Sequence, residues 1–110
     1  MKQCSRVTPT DVSGFWSPSP AQMIAIEKLL PDLLRKNGQK LNLSDYRQYI
    51  GVTSHGKKLI YLNSFPSEVT KRLDWRTTAV VVCDGGDAFW GVEFDPADNT
   101  FHNLQFNGVG

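Results

Sequence analysis

Two apolar segments joined by a Gly-Gly turn constrain the fold of this chain more than any other feature of its sequence. Residues 76–83 contain the run Ala79-Val80-Val81-Val82, and residues 88–94 carry Trp90 after the turn at residues 84–87. Branched apolar residues on both sides of a short glycine turn are typical of antiparallel strands. Because one face of such a sheet must be covered, the C-terminal half predicts a sheet with another element packed on it.

The length and composition allow one domain with one core. The chain has 110 residues, 40% hydrophobic and 21% charged, with a formal net charge of +1. This balance gives no electrostatic basis for binding nucleic acid or an anionic membrane surface. No apolar run approaches the roughly 20 residues that span a bilayer. We predict an extended or mobile leader over residues 1–13, with Phe15 and Trp16 anchoring it, and a single domain over residues 14–110.

A helix is predicted to begin at Ser19. The Ser19 side chain can cap free backbone amides, Pro20 suits the first helical position, and Gln22 can complete a capping box. Apolar residues follow at helical spacing, with two more that widen the stripe: Met23, Ile26, Leu30, Leu33 and Leu34, then Ile24 and Leu29. Pro31 predicts a kink in the helix or a break into two helices. Asn37-Gly38 predicts a left-handed cap at the end of the helix.

Period-two alternation predicts strands at residues 45–53, 58–65, 76–83, 88–94 and 100–106, mostly joined by short turns. The apolar run in residues 76–83 favours a central strand buried on both faces. The turn at residues 54–57 contains Gly56, which can take a positive φ. The chain order predicts an α+β fold: one N-terminal, kinked helix packed on a four- to five-stranded antiparallel meander sheet.

This order of elements resembles the cystatin-like fold, in which an antiparallel sheet wraps a long helix. Cystatin inhibitors bind papain-like proteases through an N-terminal Gly, a Gln-x-Val-x-Gly hairpin and a Pro-Trp hairpin. The chain has Gly14, Gln48-Tyr49-Ile50-Gly51 and Trp90, but Val52 replaces the last Gly of the hairpin motif and no Pro precedes Trp90. The inhibitor residues are therefore not assigned to this chain.

A second resemblance is to small exported proteins of proteobacteria without an assigned function. It rests on Phe15-Trp16-Ser17-Pro18, on Tyr46-Arg47-Gln48-Tyr49 and on the pattern from Cys83 to Gly108. The resemblance implies export, and a disulfide or a lipid-anchored Cys4, but no activity. The cysteine count itself allows either one disulfide or two free thiols.

Catalytic, metal and cofactor sites are not predicted. Cys83 with His55 or His102 could form a nucleophile–base pair, but a buried cysteine at a strand end explains the residue without chemistry. Four aspartates in two loops could suggest calcium, but their sequences are typical of turns. These are Asp84, Asp87, Asp95 and Asp98.

The sequence favours a non-enzymatic protein-binding domain, with a protein partner and an inhibitor or immunity-type role. Rigid aromatic side chains at hairpin tips are suited to such contacts. We predict contacts through Asp87, Phe89 and Trp90, with Tyr49 next. The alternative is a small-molecule-binding protein or enzyme with a pocket between helix and sheet.

Overall fold

The computed structural model of the chain describes residues 9–39, 45–66 and 89–106. One helix and five strands lie in these ranges: β1 Val12–Trp16, α1 Pro20–Lys36, β2 Tyr46–Ser54, β3 Lys57–Phe65, β4 Trp90–Asp95 and β5 Thr100–Phe106. Several predictions fall outside the described residues: the 76–83 strand, both cysteines, and the turn at residues 84–87.

The five strands form one antiparallel sheet in the order β1-β2-β3-β4-β5. Each strand pairs with the next one along the described chain, and α1 connects β1 to β2. This arrangement confirms the predicted α+β class with one N-terminal helix and a meander sheet. The described partners of β3 are β2 and β4.

The ends of α1 follow from local sequence. The Gln22 amide donates to Ser19 Oγ at 3.1 Å and the Ser19 amide donates to Gln22 Oε1 at 2.9 Å, which completes the predicted capping box. At the other end Gly38 takes φ +74°, and the Gln39 amide donates to the Leu34 carbonyl at 2.8 Å. Pro31 lies inside one continuous helix, so the helix is not broken in two.

The core lies between α1 and one face of the sheet. Ile26, Leu30 and Leu34 are at most 1% exposed and pack in one cluster with residues of β3 and β4. The cluster includes Trp90, Val92 and Phe94 of β4. The predicted stripe was too wide, because Ile24 and Leu29 are exposed.

β1 begins at Val12 and is attached to β2 through Trp16. The Trp16 side chain packs against the core and its Nε1 donates to the Val52 carbonyl at 2.9 Å. Phe15 points the other way and is 67% exposed, so Trp16 alone provides the predicted anchor.

The sheet is also buried on the face that does not contact α1. Tyr61 and Phe65 of β3 alternate with the core residues Ile60 and Leu62, yet all four are 0% exposed. Glu93 and Asp95 of β4 lie on this second face and are buried as well. No helix in the described part of the chain is long and apolar enough to cross a membrane.

Candidate functional site

The structure describes three of the four predicted contact residues, and these lie at two separate places in the sheet. Asp87 lies outside the described residues. Trp90 is 4% exposed and belongs to the core, and Phe89 is half-buried immediately before β4. Tyr49 lies on β2, opposite Leu62 of β3, and is separated from β4 by that strand. Tyr49 borders a groove open to solvent.

That groove, here called the helix-edge groove, runs between α1 and β2. It has a volume of about 430 Å³ and is lined by Met23, Ile24, Glu27, Lys28, Arg47 and Tyr49. Ile24 is 58% exposed at its rim. The helical period places Ile24 on the outer flank of α1, away from the core positions Ile26 and Leu30.

A bidentate ion pair closes one side of the groove. Arg47 donates through Nε to Glu27 Oε2 at 2.6 Å and through Nη2 to Glu27 Oε1 at 2.5 Å. The side chains are 12% and 34% exposed, so the pair is largely shielded from water. It ties α1 to β2 and neutralises both groups. Lys28 has no ion-pair partner among the described residues and supplies positive charge at the rim.

Buried polar atoms concentrate beneath the groove. Arg47 Nη1, Ser64 Oγ and Tyr49 Oη are buried and make no hydrogen bond among the described residues. Arg47 and Ser64 are cross-strand partners, and Tyr49 follows Arg47 by two positions on the same face. Unsatisfied buried polar atoms are uncommon and costly, so this group of three marks the region around the groove as unusual.

A second recess, here called the polar cavity, opens on the opposite face of the sheet. It has a volume of about 330 Å³. Its lining comes from the segment before β1 and from both described hairpins: Pro9, Thr10, Ser54, His55, Lys57, Leu59, Glu93, Asp95, His102 and Asn103. The sequence analysis did not identify Glu93 as a site residue. A carboxylate in the middle of the apolar strand β4 was the available signal.

Each carboxylate of the polar cavity has a defined partner. Asn103 Nδ2 donates to Glu93 Oε2 at 3.0 Å. Asp95 Oδ1 accepts from the Ala97 amide at 2.9 Å, and Asp95 Oδ2 lies 3.5 Å from Lys57 Nζ. Among the described residues, no group of three or more His, Cys, Asp or Glu side chains is placed to hold a metal ion.

Two hydrogen-bonded histidines flank the cavity. His55 Nε2 lies 3.1 Å from Thr10 Oγ1, and its Nδ1 lies 3.4 Å from Asp11 Oδ2. Thr100 Oγ1 donates to Asp98 Oδ1 at 2.5 Å, and this bond lowers the pKa of the Asp98 carboxyl. Because the hydroxyl has one hydrogen, it accepts from His102 Nε2 at 2.8 Å, which assigns the proton to Nε2.

The aspartates of the β4–β5 turn act in the predicted way. Asp95 accepts from the Ala97 amide, and Asp98 accepts from the Thr100 amide at 3.2 Å. The other two aspartates of the suggested calcium set, Asp84 and Asp87, lie outside the described residues. The turn interpretation therefore holds for the two that are described.

Comparison with protein-family models, with curated proteins and with solved structures found no match to the chain. The resemblance that the structure supports is one of shape: a single helix with a five-stranded antiparallel sheet.

Proposed function

We propose that this chain is a non-enzymatic protein-binding domain of the inhibitor or immunity type, and that the helix-edge groove is its contact surface. The observation that carries the proposal is an exposed Ile24 at the rim of an open apolar groove with unsatisfied polar atoms beneath it. Contiguous exposed apolar surface marks interaction sites better than single side chains do, and Ile24 forms part of the lining of the groove.

The charges of the groove suggest what the partner presents. Glu27 and Arg47 neutralise each other, so Lys28 provides the uncompensated charge among the groove residues that the structure describes. A partner segment with an apolar side chain next to a carboxylate would fill the groove and pair with Lys28. Such complementarity favours specificity and fast association.

Among the predicted contacts, this proposal retains Tyr49 and adds Ile24. Trp90 is 4% exposed, so truncating it would damage the core and would not report on a contact. The alternative, a ligand pocket between helix and sheet, has less support. Ile26, Leu30 and Leu34 fill that space and are at most 1% exposed.

Substituting Ile24 by Asp should strongly weaken partner capture without unfolding the domain. The substitution replaces the apolar Ile24 side chain with a carboxylate. Loss of such an apolar contact at a binding hot spot weakens binding by about tenfold or more. The full chain is immobilised and exposed to cytoplasmic and cell-envelope extracts of the native organism. Any captured protein is then purified, and its affinity is measured by titration calorimetry. A partner from the envelope extract would also agree with the export implied by the sequence resemblance.

Leu29→Asp is the matched control. Leu29 is an exposed leucine on the same helix, 40% exposed, but it does not line the groove. We expect this variant to bind within about twofold of the native chain, as surface changes outside a hot spot usually do. If both variants bind normally, or both lose binding while circular dichroism shows a folded chain, the groove is not the contact surface.

A further inference from the structure

The polar cavity holds more buried negative charge than its described neighbours neutralise. Glu93 is 8% exposed and Asp95 is 5% exposed. Among the described residues, Lys57 is the one ammonium group that pairs with either of them. Its Nζ is 3.5 Å from Asp95 Oδ2, and its side chain is 68% exposed. A buried carboxylate is costly unless it is well paired, so this arrangement leaves Glu93 without a countercharge.

Half of the Glu93 carboxylate is unused. Oε2 accepts from Asn103 Nδ2 at 3.0 Å, but Oε1 accepts no hydrogen bond from any residue that the structure describes. The neighbouring histidines have other partners, since His55 contacts Thr10 and His102 contacts Thr100. Oε1 is therefore an available acceptor in the lining of the cavity.

An irregular backbone helps to shape this site. The β4–β5 register shifts between Gly91 and Glu93, and Asn103 takes φ +56° within β5. Bulges of this kind redirect side chains and are frequent beside functional sites. Here the irregularity includes Asn103, the residue whose side chain donates to Glu93 Oε2.

We propose that the polar cavity binds a cationic nitrogen group, an alkylammonium or a guanidinium, with Glu93 Oε1 as its main acceptor and Asp95 beside it. Leu59 and Pro9 provide apolar wall for an alkyl stem. A volume of about 330 Å³ equals that of about ten liquid water molecules, which suffices for a butylammonium ion. The cavity lies across the sheet from the helix-edge groove, so this inference goes beyond the proposed function.

The cation can come from a free amine or from a lysine or arginine side chain of another protein. Titration calorimetry on the full chain separates these sources. The free-amine probe is n-butylammonium chloride, and the side-chain probes are the Nα-acetyl amides of lysine and arginine. Sodium butyrate and 1-butanol have a similar size but lack the cation, and we expect neither to bind.

Three variants test the assigned residues. Glu93→Gln keeps the size of the side chain but removes its charge, and should weaken butylammonium binding by about tenfold. Lys57→Met removes the ammonium group that pairs with Asp95 and would compete with a bound cation. This variant should tighten butylammonium binding by roughly threefold. Asp32→Asn makes a carboxyl-to-amide change on the exposed face of α1 and should leave the affinity unchanged.

Glu93→Gln and Lys57→Met are expected to change the affinity for butylammonium in opposite directions. The inference can therefore still be tested with Lys57→Met if Glu93→Gln does not fold. Lys57 is exposed, so Lys57→Met should fold normally. Preference for butylammonium would identify a free amine, and preference for the acetyl amides would identify a protein side chain. The proposal is overturned if no cation binds, if 1-butanol binds as tightly as butylammonium, or if Lys57→Met weakens binding.

Discussion

Replacing Gly51 with alanine should destabilise the fold by about 3 kcal/mol, a large effect for one added methyl group. A Cβ atom at this position would lie 2.2 Å from the Trp16 carbonyl oxygen and 2.7 Å from Cδ2 of its indole. The first contact is with backbone, so no side-chain rotation relieves it. β1 must move away from β2, and Trp16 then loses its packing and its hydrogen bond to Val52.

Gly14→Ala is the matched control for this prediction. Gly14 lies on β1, two residues from either end of the described β1–β2 pairing, and a Cβ atom there would meet nothing within 4 Å. Neither glycine has a positive φ, so the two variants differ in close approach and not in backbone strain. Urea unfolding monitored by circular dichroism measures the free energy of unfolding of both variants. A loss below about 1 kcal/mol for Gly51→Ala would contradict the close contact with Trp16.

Glu27→Ala should lower the free energy of unfolding by about 2 kcal/mol. The Arg47 side chain is only 12% exposed, and its Nε and Nη2 both donate to the Glu27 carboxylate. Removing one partner of a fully buried pair costs about 3–5 kcal/mol, and the 34% exposure of Glu27 reduces this through solvent screening. The variant leaves a shielded guanidinium without its carboxylate.

Asp32→Ala provides the comparison on the same helix. Asp32 pairs with Arg35 at 2.5 Å, but the two side chains are 64% and 76% exposed. Exposed pairs of this spacing contribute about 0.5 kcal/mol or less. Denaturant titrations should therefore rank Glu27→Ala well below Asp32→Ala in stability. Equal losses would mean that the Glu27–Arg47 pair does not connect α1 to the sheet.

The sequence was sufficient for features that local chemistry determines. The Ser19 cap, the Gly38 cap and the turn at Gly56 each depend on residues within one turn of chain. The strand periods were also readable, because alternation is a property of each strand alone. For that reason the predicted strand at residues 100–106 agrees with β5 at both ends.

Features set by long-range packing could not be predicted from the sequence. Ile24 and Leu29 fit the helical period, but the sheet contacts only the narrower face of α1 that carries Ile26, Leu30 and Leu34. The sequence did not show that the sheet face carrying Glu93 is buried as well. The polar cavity joins segments far apart in the chain, from Pro9 to Asn103, and no local pattern links them.

The β2–β3 hairpin has a consequence for how the chain folds. Its nine cross-strand pairs, from Tyr46↔Phe65 to Ser54↔Lys57, follow a two-residue turn in which His55 and Gly56 both have positive φ. Contacts between near neighbours require little loop closure, and hairpins form within roughly 1–10 μs. We expect this hairpin to nucleate folding, so its amides should gain protection before those of β1 in pulsed hydrogen exchange. Earlier protection of β1 would reverse that order of assembly.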